Sequence, residues 1–493
     1  MLRKFFSRKL AVIALALFLG LIGGVNSASA HAPRYVFYFI GDGMGAAQRQ
    51  AAEYYLRAET GVKDIKLKLR MNQFPVAGIN TTYSADSLVT DSAAAGTALA
   101  AGYKTNNGII AQLPDGTNVK SLVEAAEEKG MGTGLVTTTR ITHATPAVFA
   151  SHNSNRDAEN EIALDYLDSG VDFFAGGGYR HFVPQNWDGG KSKRKDDLNI
   201  AEKFKGQGYH VFLTEKDTQK FRNYKPSGQE KVFAAFTYSH LPYELDREND
   251  HTPSLAELTA KGIEVLEKYK EGFFLMVEGG RIDHACHAHD PAGSIHDTLA
   301  FDKALDEAYS FYQKYPDETL IVVVADHETG GFGLGFGDNY FLKMDQLFKA
   351  KVTTADVLNE GVGKYDKDRK KFFDFIATNL GLDNLSLDEK IKIEQAMDLI
   401  DGSQKDAIAT YAGYDPAAIT VTHIMSERAN MFWTTYAHSG TTVPLSAIGV
   451  GAEALGGFKD NTEVARTLFS ILEFKPTEVA FTHPTSLPKV INY

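Results

Sequence analysis

Three acidic motifs stand out in the chain. They are Ile40-Gly41-Asp42-Gly43-Met44-Gly45, Glu278-Gly279-Gly280-Arg281-Ile282-Asp283-His284 and Ala325-Asp326-His327-Glu328. Each follows an apolar run, at residues 35–40, 273–277 and 320–324, that reads as a buried strand of a mostly parallel sheet. Ligands of open α/β sheets bind beyond the carboxyl ends of the strands. Carboxylates and histidines at three such ends would converge on one site. Such a cluster is costly to bury unless cations occupy it, so the pattern points to a multi-metal centre.

The segment Asp283-His284-Ala285-Cys286-His287 adds spacing to composition. Asp283 and His287 are four apart and share one face of a helical turn, as two ligands of one ion would. His284 points elsewhere and suits a supporting position. Cys286, the single cysteine, reads as a small packing residue, and no internal disulfide is possible. Thr90-Asp91-Ser92-Ala93-Ala94-Ala95-Gly96-Thr97 places Asp91 or Ser92 at the cap of a helix. A serine there meets free N–H groups and the positive end of the helix dipole, a setting that binds phosphate. His143 and Thr145, in His143-Ala144-Thr145-Pro146, offer an imidazole and a hydroxyl after another apolar strand. Arg156 has a fork that matches two phosphate oxygens. His438 lies in the small-residue loop Ala437-His438-Ser439-Gly440-Thr441 and carries no signal alone.

The elements that must position these residues alternate along the chain. Strands are expected at 35–40, 76–83, 133–137, 171–175, 209–213, 273–277, 320–324 and 443–450. Helices are expected at 119–129, 157–168, 254–270, 294–312 and 463–472. This is a doubly wound α/β pattern, with Gly130, Gly170 and Gly272 placed as helix C-caps. Residues 331–431 begin Gly-rich and turn charged and helical, as at 365–379 and 386–399. They read as an insertion at the rim of the site.

Residues 1–30 form a secretory signal peptide. Arg3, Lys4, Arg8 and Lys9 precede an apolar stretch, and Ala28-Ser29-Ala30 supplies small residues for cleavage. The apolar stretch is short for a membrane span, and no other run of sufficient length follows. Residues 31–493 then constitute the catalytic domain, exported to the periplasm or the medium. Without the leader the chain has 47 basic and 63 acidic residues. So acidic a protein is a poor candidate for nucleic-acid binding through phosphate neutralisation.

Taken in order, Gly-Asp-Gly-Met-Gly, Thr-Asp-Ser-Ala-Ala-Ala-Gly-Thr, His-Ala-Thr-Pro, Glu-Gly-Gly-Arg-Ile-Asp-His-x-x-His, Ala-Asp-His-Glu and Ala-His-Ser-Gly resemble the alkaline phosphatases. The resemblance runs from about residue 34 to 470, with a gap across the insertion. It implies a three-layer αβα sandwich and a phosphomonoesterase that forms a phosphoserine at Ser92. It implies that Arg156 binds phosphate and that Asp91 orients it. Asp283, His287 and His438 match the ligands of one zinc, and Asp42, Asp326 and His327 those of a second. Asp42, Thr145 and Glu278 match a magnesium site, with Asp42 bridging. His143 and His284 match positions that vary within the family and stand beside the ligands. Two Zn2+ and one Mg2+ against four carboxylates leave a surplus of two positive charges, which matches a phosphate dianion. The partners implied are phosphate monoesters, inorganic phosphate as product and a second copy in a homodimer. A sulfatase would need a Cys/Ser-x-Pro-x-Arg segment, which is absent. An exported metal-binding protein without catalysis would need no Ser92–Arg156 pair.

Overall fold

The computed structural model describes residues 31–62, 67–248 and 251–478. The expected signal peptide lies outside the described residues. The chain forms strands β1 (Tyr35–Gly41), β2 (Val76–Asn80), β3 (Gly132–Arg140), β4 (Phe173–Gly177), β5 (Tyr209–Leu213), β6 (Lys231–Ala235), β7 (Phe273–Glu278) and β8 (Thr319–Ala325). The short strands β9 (Glu328–Thr329), β10 (Gly333–Leu334), β11 (Met431–Phe432) and β12 (His438–Ser439) follow, then β13 (Val443–Gly449) and β14 (Gly457–Lys459). Ten of these make one sheet in the order β14-β2-β13-β8-β1-β7-β3-β4-β6-β5. All neighbours pair in parallel except β13, which runs against β2 and β8.

Every residue of β1, β7 and β8 is buried, which is why their sequences are unbroken apolar runs. Side chains alternate between faces. Phe37, Phe39, Leu275 and Val323 pack on one side, under the helices Ala46–Thr60, Leu255–Leu266 and Pro291–Lys314. Val36, Tyr38, Ile40, Met276 and Val322 pack on the other, under Ser92–Ala101, Leu122–Glu128 and Asn461–Ile471. The expected αβα sandwich is therefore present.

Several expected boundaries shift. The strand expected at 76–83 stops at Asn80, and the helix expected at 119–129 begins at Leu122, because Ser121 and Glu124 form a capping box there. The helix expected to 270 ends at Leu266, so Gly272 is no C-cap. It stands just before β7 with φ of +86°, where a Cβ would lie 1.8 Å from the Arg34 carbonyl oxygen. Strand β6 and the helix Ala46–Thr60 were not foreseen.

Residues 331–431 leave the sheet after β8 and return before β13. They hold the helices Arg369–Leu380, Leu387–Asp401 and Pro416–Ala429. The antiparallel pair β10–β11 closes their base. Phe372, Ile376, Ile393 and Met397 of this excursion belong to the same continuous apolar cluster as Phe37 and Phe39 of β1.

Candidate active site

Strands β8, β1, β7 and β3 are neighbours in the sheet, so the side chains at their carboxyl ends arrive side by side. Asp42 directly follows β1, Glu278 is the last residue of β7, and Asp326 and His327 follow β8. His143 caps the short helix Ala144–Ala147 beyond β3, which carries Thr145. Close approach of these ends needs Gly43. Its φ is +70°, and a Cβ there would meet the Asp283 backbone and the Thr329 hydroxyl at 2.8 Å. Its N–H donates to Asp326 Oδ1 at 3.1 Å.

The helix Ser92–Ala101 is capped by Asp91, whose Oδ1 accepts from the Ala94 N–H at 3.0 Å. The structure thus resolves the cap in favour of Asp91 and leaves Ser92 at the first helical position. Ser92 is buried, and its hydroxyl lies 3.2 Å from His327 Nε2. The other Asp91 oxygen accepts from Arg156 Nη1 and from the Gly108 N–H, each at 3.0 Å. Arg156 Nη2 lies 3.2 Å from His143 Nε2. A guanidinium only donates, so His143 Nε2 accepts and the ring proton sits on Nδ1.

Three groups of donors surround this serine. In the first, Asp283 Oδ1 lies 3.3 Å from His287 Nε2 and 3.5 Å from His438 Nε2, and the two imidazole nitrogens are 3.1 Å apart. Asp283 and His287 lie on the helical turn Arg281–His287, as their spacing requires. Backbone carbonyls fix both rings: Tyr436 takes the His287 Nδ1 bond, and Thr90 the His438 Nδ1 bond at 2.7 Å. Each ring then turns Nε2 inward, as in a metal ligand with an oriented second nitrogen. In the second group, His327 Nε2 lies 3.4 Å from Asp42 Oδ1 and 3.3 Å from Asp326 Oδ2. The His327 and His438 rings stack at 3.5 Å, so His327 borders both groups. In the third, donor atoms of Asp42, Glu278 and His143 lie within 4.8 Å of one another. Thr145 stands beside Glu278, and its hydroxyl makes no hydrogen bond of ordinary geometry.

The electrostatics of these groups call for positive charge. Burial and the carboxylates of Asp326, Asp283 and Glu278 push Asp42 well above the usual carboxylate range. Burial, followed by Asp283, lifts Asp326 to about 8. Burial lifts Glu278 to about 7 against the hydroxyls of Thr137 and Thr139. Burial acts the same way on Asp283, but His287, His438 and His327 outweigh it and hold this carboxyl low. Burial opposes charge on His287, yet Asp283 outweighs it and lifts the imidazole to about 9. Both oxygens of Asp42, Asp326 Oδ2 and Glu278 Oε1 are buried without a hydrogen-bond partner. A buried carboxylate left in that state is destabilising by several kcal/mol when ionised. Divalent cations fit these donors: mixed carboxylate and imidazole sets suit zinc, and oxygen sets suit magnesium.

Every site residue expected from the sequence thus falls in one connected region. His284 hydrogen-bonds through Nδ1 with Arg281 Nη1 at 3.3 Å and stacks edge-on against His240 at 4.3 Å. Cys286 is buried against Ser294 and Gln48, as a packing residue. Sequence reading missed Thr137 and Thr139, whose hydroxyls hold Glu278, and Thr329, whose hydroxyl holds Asp283. The position of Thr329, two residues after His327, was the available signal. For His240 there was none.

A sequence model of the family described as alkaline phosphatase matches residues 33–474. The chain belongs to the alkaline phosphatase family. It is accordingly a phosphate-monoester hydrolase. It is 36% identical over 446 residues to alkaline phosphatase 3 of Bacillus subtilis, covering 89% of each chain. The crystal structure of a cold-active alkaline phosphatase from a psychrophilic Shewanella superposes with a TM-score of 0.75 at 28% identity, over 89% of this chain and 99% of that one. An alkaline phosphatase from the Antarctic bacterium TAB5, with a histidine changed to glutamate and Mg bound in its M3 site, superposes at 0.62 with 27% identity, over 90% and 99%.

Proposed function

We propose that this alkaline phosphatase is an exported enzyme that hydrolyses phosphate monoesters through a phosphoserine at Ser92, with two zinc ions and one magnesium ion. The observation that carries this is the position of the Ser92 hydroxyl, 3.2 Å from His327, which clusters both with Asp42 and Asp326 and with Asp283 and His438, at a helix start whose cap Asp91 holds Arg156. Asp283, His287 and His438 would hold one zinc, Asp42, Asp326 and His327 the other, and Asp42, Thr145 and Glu278 the magnesium. Bound there, the ions would lower the pKa of the serine and of water, neutralise the carboxylates and stabilise the departing alkoxide.

The chain's own residues supply the rest. Arg156 presents two N–H groups to two phosphoryl oxygens, and Asp91 fixes its orientation. Ser92 gives up its hydroxyl proton to water and its Oγ forms a bond to phosphorus as the bond to the alcohol oxygen breaks, and the alcohol leaves with a proton taken from water. A water then attacks the phosphoseryl group, which returns the Ser92 hydroxyl and releases inorganic phosphate. The neutral His143 ring accepts from Arg156 and helps set its plane. Turned away from Arg156, the same imidazole nitrogen would become a donor beside the third site, which zinc prefers. A TAB5 protein with glutamate in place of a histidine is described with Mg bound in its M3 site, which is in keeping with a histidine influencing metal choice in this fold.

The basic and apolar composition of residues 3–30 supports the reading of export, and a homodimer is the assembly that the resemblance implies. Residues 331–431 form the rim of the site in this reading. Asp356 pairs with Arg281, and Asp290 accepts from the Thr354 N–H at 2.7 Å. Chelation tests the metal requirement. Activity and thermal stability should both fall and return with zinc plus magnesium, because binding to the folded state alone stabilises it. Full activity in protein shown by elemental analysis to be metal-free would overturn the proposal.

A further inference from the structure

Glu328 directly follows the Asp326-His327 pair and takes no part in the reaction described above. It is 5% exposed, and its carboxylate gathers four donors. Oε1 accepts from the Phe332 N–H at 3.0 Å and from Gln48 Nε2 at 2.8 Å. Oε2 accepts from the Gly331 N–H at 3.2 Å and from the Ser439 hydroxyl. These donors come from three places: the helix Ala46–Thr60, the turn after β9, and β12. Gly45 accommodates the side chain, since a Cβ there would lie 2.3 Å from Glu328 Cγ.

What Glu328 grips on β12 matters most. That strand is two residues long, and its first residue is His438. It pairs with β9 in the register His438↔Thr329 and Ser439↔Glu328. Two residues of ladder are marginal by themselves. The Glu328–Ser439 bond adds a side-chain tie beside that ladder, and the neighbouring Thr329 hydroxyl holds Asp283. The strand Glu328–Thr329 therefore fixes two members of one donor group that lie 155 positions apart in the chain.

We propose that Glu328 is a positioning residue that holds His438 in register with Asp283 and so sets the retention of zinc at the Asp283–His287–His438 group. This rests on the metal reading above. Groups behind metal ligands change affinity by roughly 10- to 100-fold when removed. The experiment is a competition titration of purified protein with a chromophoric zinc chelator, for the parent, Glu328→Ala, Glu328→Gln and Ser439→Ala. Circular dichroism of the zinc-saturated proteins at the same temperature checks that each is folded.

Glu328→Ala should need about tenfold more free zinc for half-loading of one site, and the second site should change less. Ser439→Ala removes the bond to Glu328 together with the one shared with the Thr441 hydroxyl, and should give a shift of roughly fivefold. Glu328→Gln should fall between the parent and Glu328→Ala, because an amide retains one acceptor. Activity at saturating zinc should recover more fully than activity at limiting zinc. A merely structural residue would lower the unfolding temperature and leave the zinc titration of the folded protein unchanged. Parent-like titrations of folded Glu328→Ala, or of Ser439→Ala if the first variant does not fold, overturn the inference. A parent that binds no zinc would instead overturn the metal reading on which it rests.

Discussion

Asp91 performs two separable tasks, and one pair of variants tells them apart. Its Oδ1 caps the Ser92 helix at the Ala94 N–H, and its Oδ2 receives Arg156 and the Gly108 N–H. Alanine removes both tasks. The lost cap alone should destabilise the protein by about 1 kcal/mol. The Asp91 and Arg156 side chains are 20% and 22% exposed, so solvent screens their pair, and the bond lies at the low end of the charged range, about 1.5 kcal/mol. Loss of that bond frees Arg156, and kcat/KM should fall by roughly tenfold. Asparagine keeps the Oδ1 acceptor and puts an N–H2 where Arg156 and Gly108 also present donors. Asp91→Asn should therefore retain most of the cap energy while its kcat/KM falls as far as that of Asp91→Ala. Denaturant unfolding gives the stability, and initial rates with p-nitrophenyl phosphate, together with inhibition by inorganic phosphate, give the catalytic term. Parent-like kcat/KM and phosphate inhibition in Asp91→Asn would refute the assignment of Arg156 as a phosphate ligand held by Asp91.

Two further outcomes follow from the structure. His143→Asp should retain magnesium more tightly and lose inhibition by excess zinc, since it replaces a nitrogen donor with oxygen beside Asp42 and Glu278; superimposable magnesium titrations of parent and variant would contradict this. Asp460 caps the helix Asn461–Ile471, and its Oδ2 lies 3.2 Å from Lys104 Nζ. Burial pushes its carboxyl up, but Lys104 and the hydroxyls of Thr462 and Thr81 outweigh burial and bring it to about 2 from the usual 3.8. Lys104 is itself pushed down to about 8 by burial, so the pair stabilises less than the Asp460 share alone. A depressed carboxyl stabilises above its unfolded value, and the effect is lost as pH falls through the folded one. The stability difference between the parent and Asp460→Asn, about 1 kcal/mol after discounting for exposure, should shrink between roughly pH 4 and 2. A difference constant over that range in denaturant unfolding would contradict the assignment.

The centre of the fold was legible because its strands are buried on both faces. The runs at 35–40, 273–277 and 320–324 recur as β1, β7 and β8 with ends moved by at most one residue. Strand β6 was missed because Lys231–Ala235 is short and its apolar run has no following motif. The helix Ala46–Thr60 was missed because its polar content hides a buried stripe that includes Gln48, Arg49 and Glu53. The reversal of β13 leaves no mark in its sequence. In the site, the Asp283–His287 spacing could be read locally, but His438 lies 151 positions after His287 and only the family resemblance joined them. The supports of Glu278 were invisible because threonines on β3 read as ordinary strand residues.

The central claim is that Ser92 carries the phosphoryl group during turnover. The direct measurement is to quench the enzyme with labelled phosphate at mildly acidic pH and locate the label by peptide mass spectrometry. The account predicts one labelled residue, Ser92, and no label in Ser92→Ala. A label on any other residue, or a label on the parent that persists in Ser92→Ala, would contradict it.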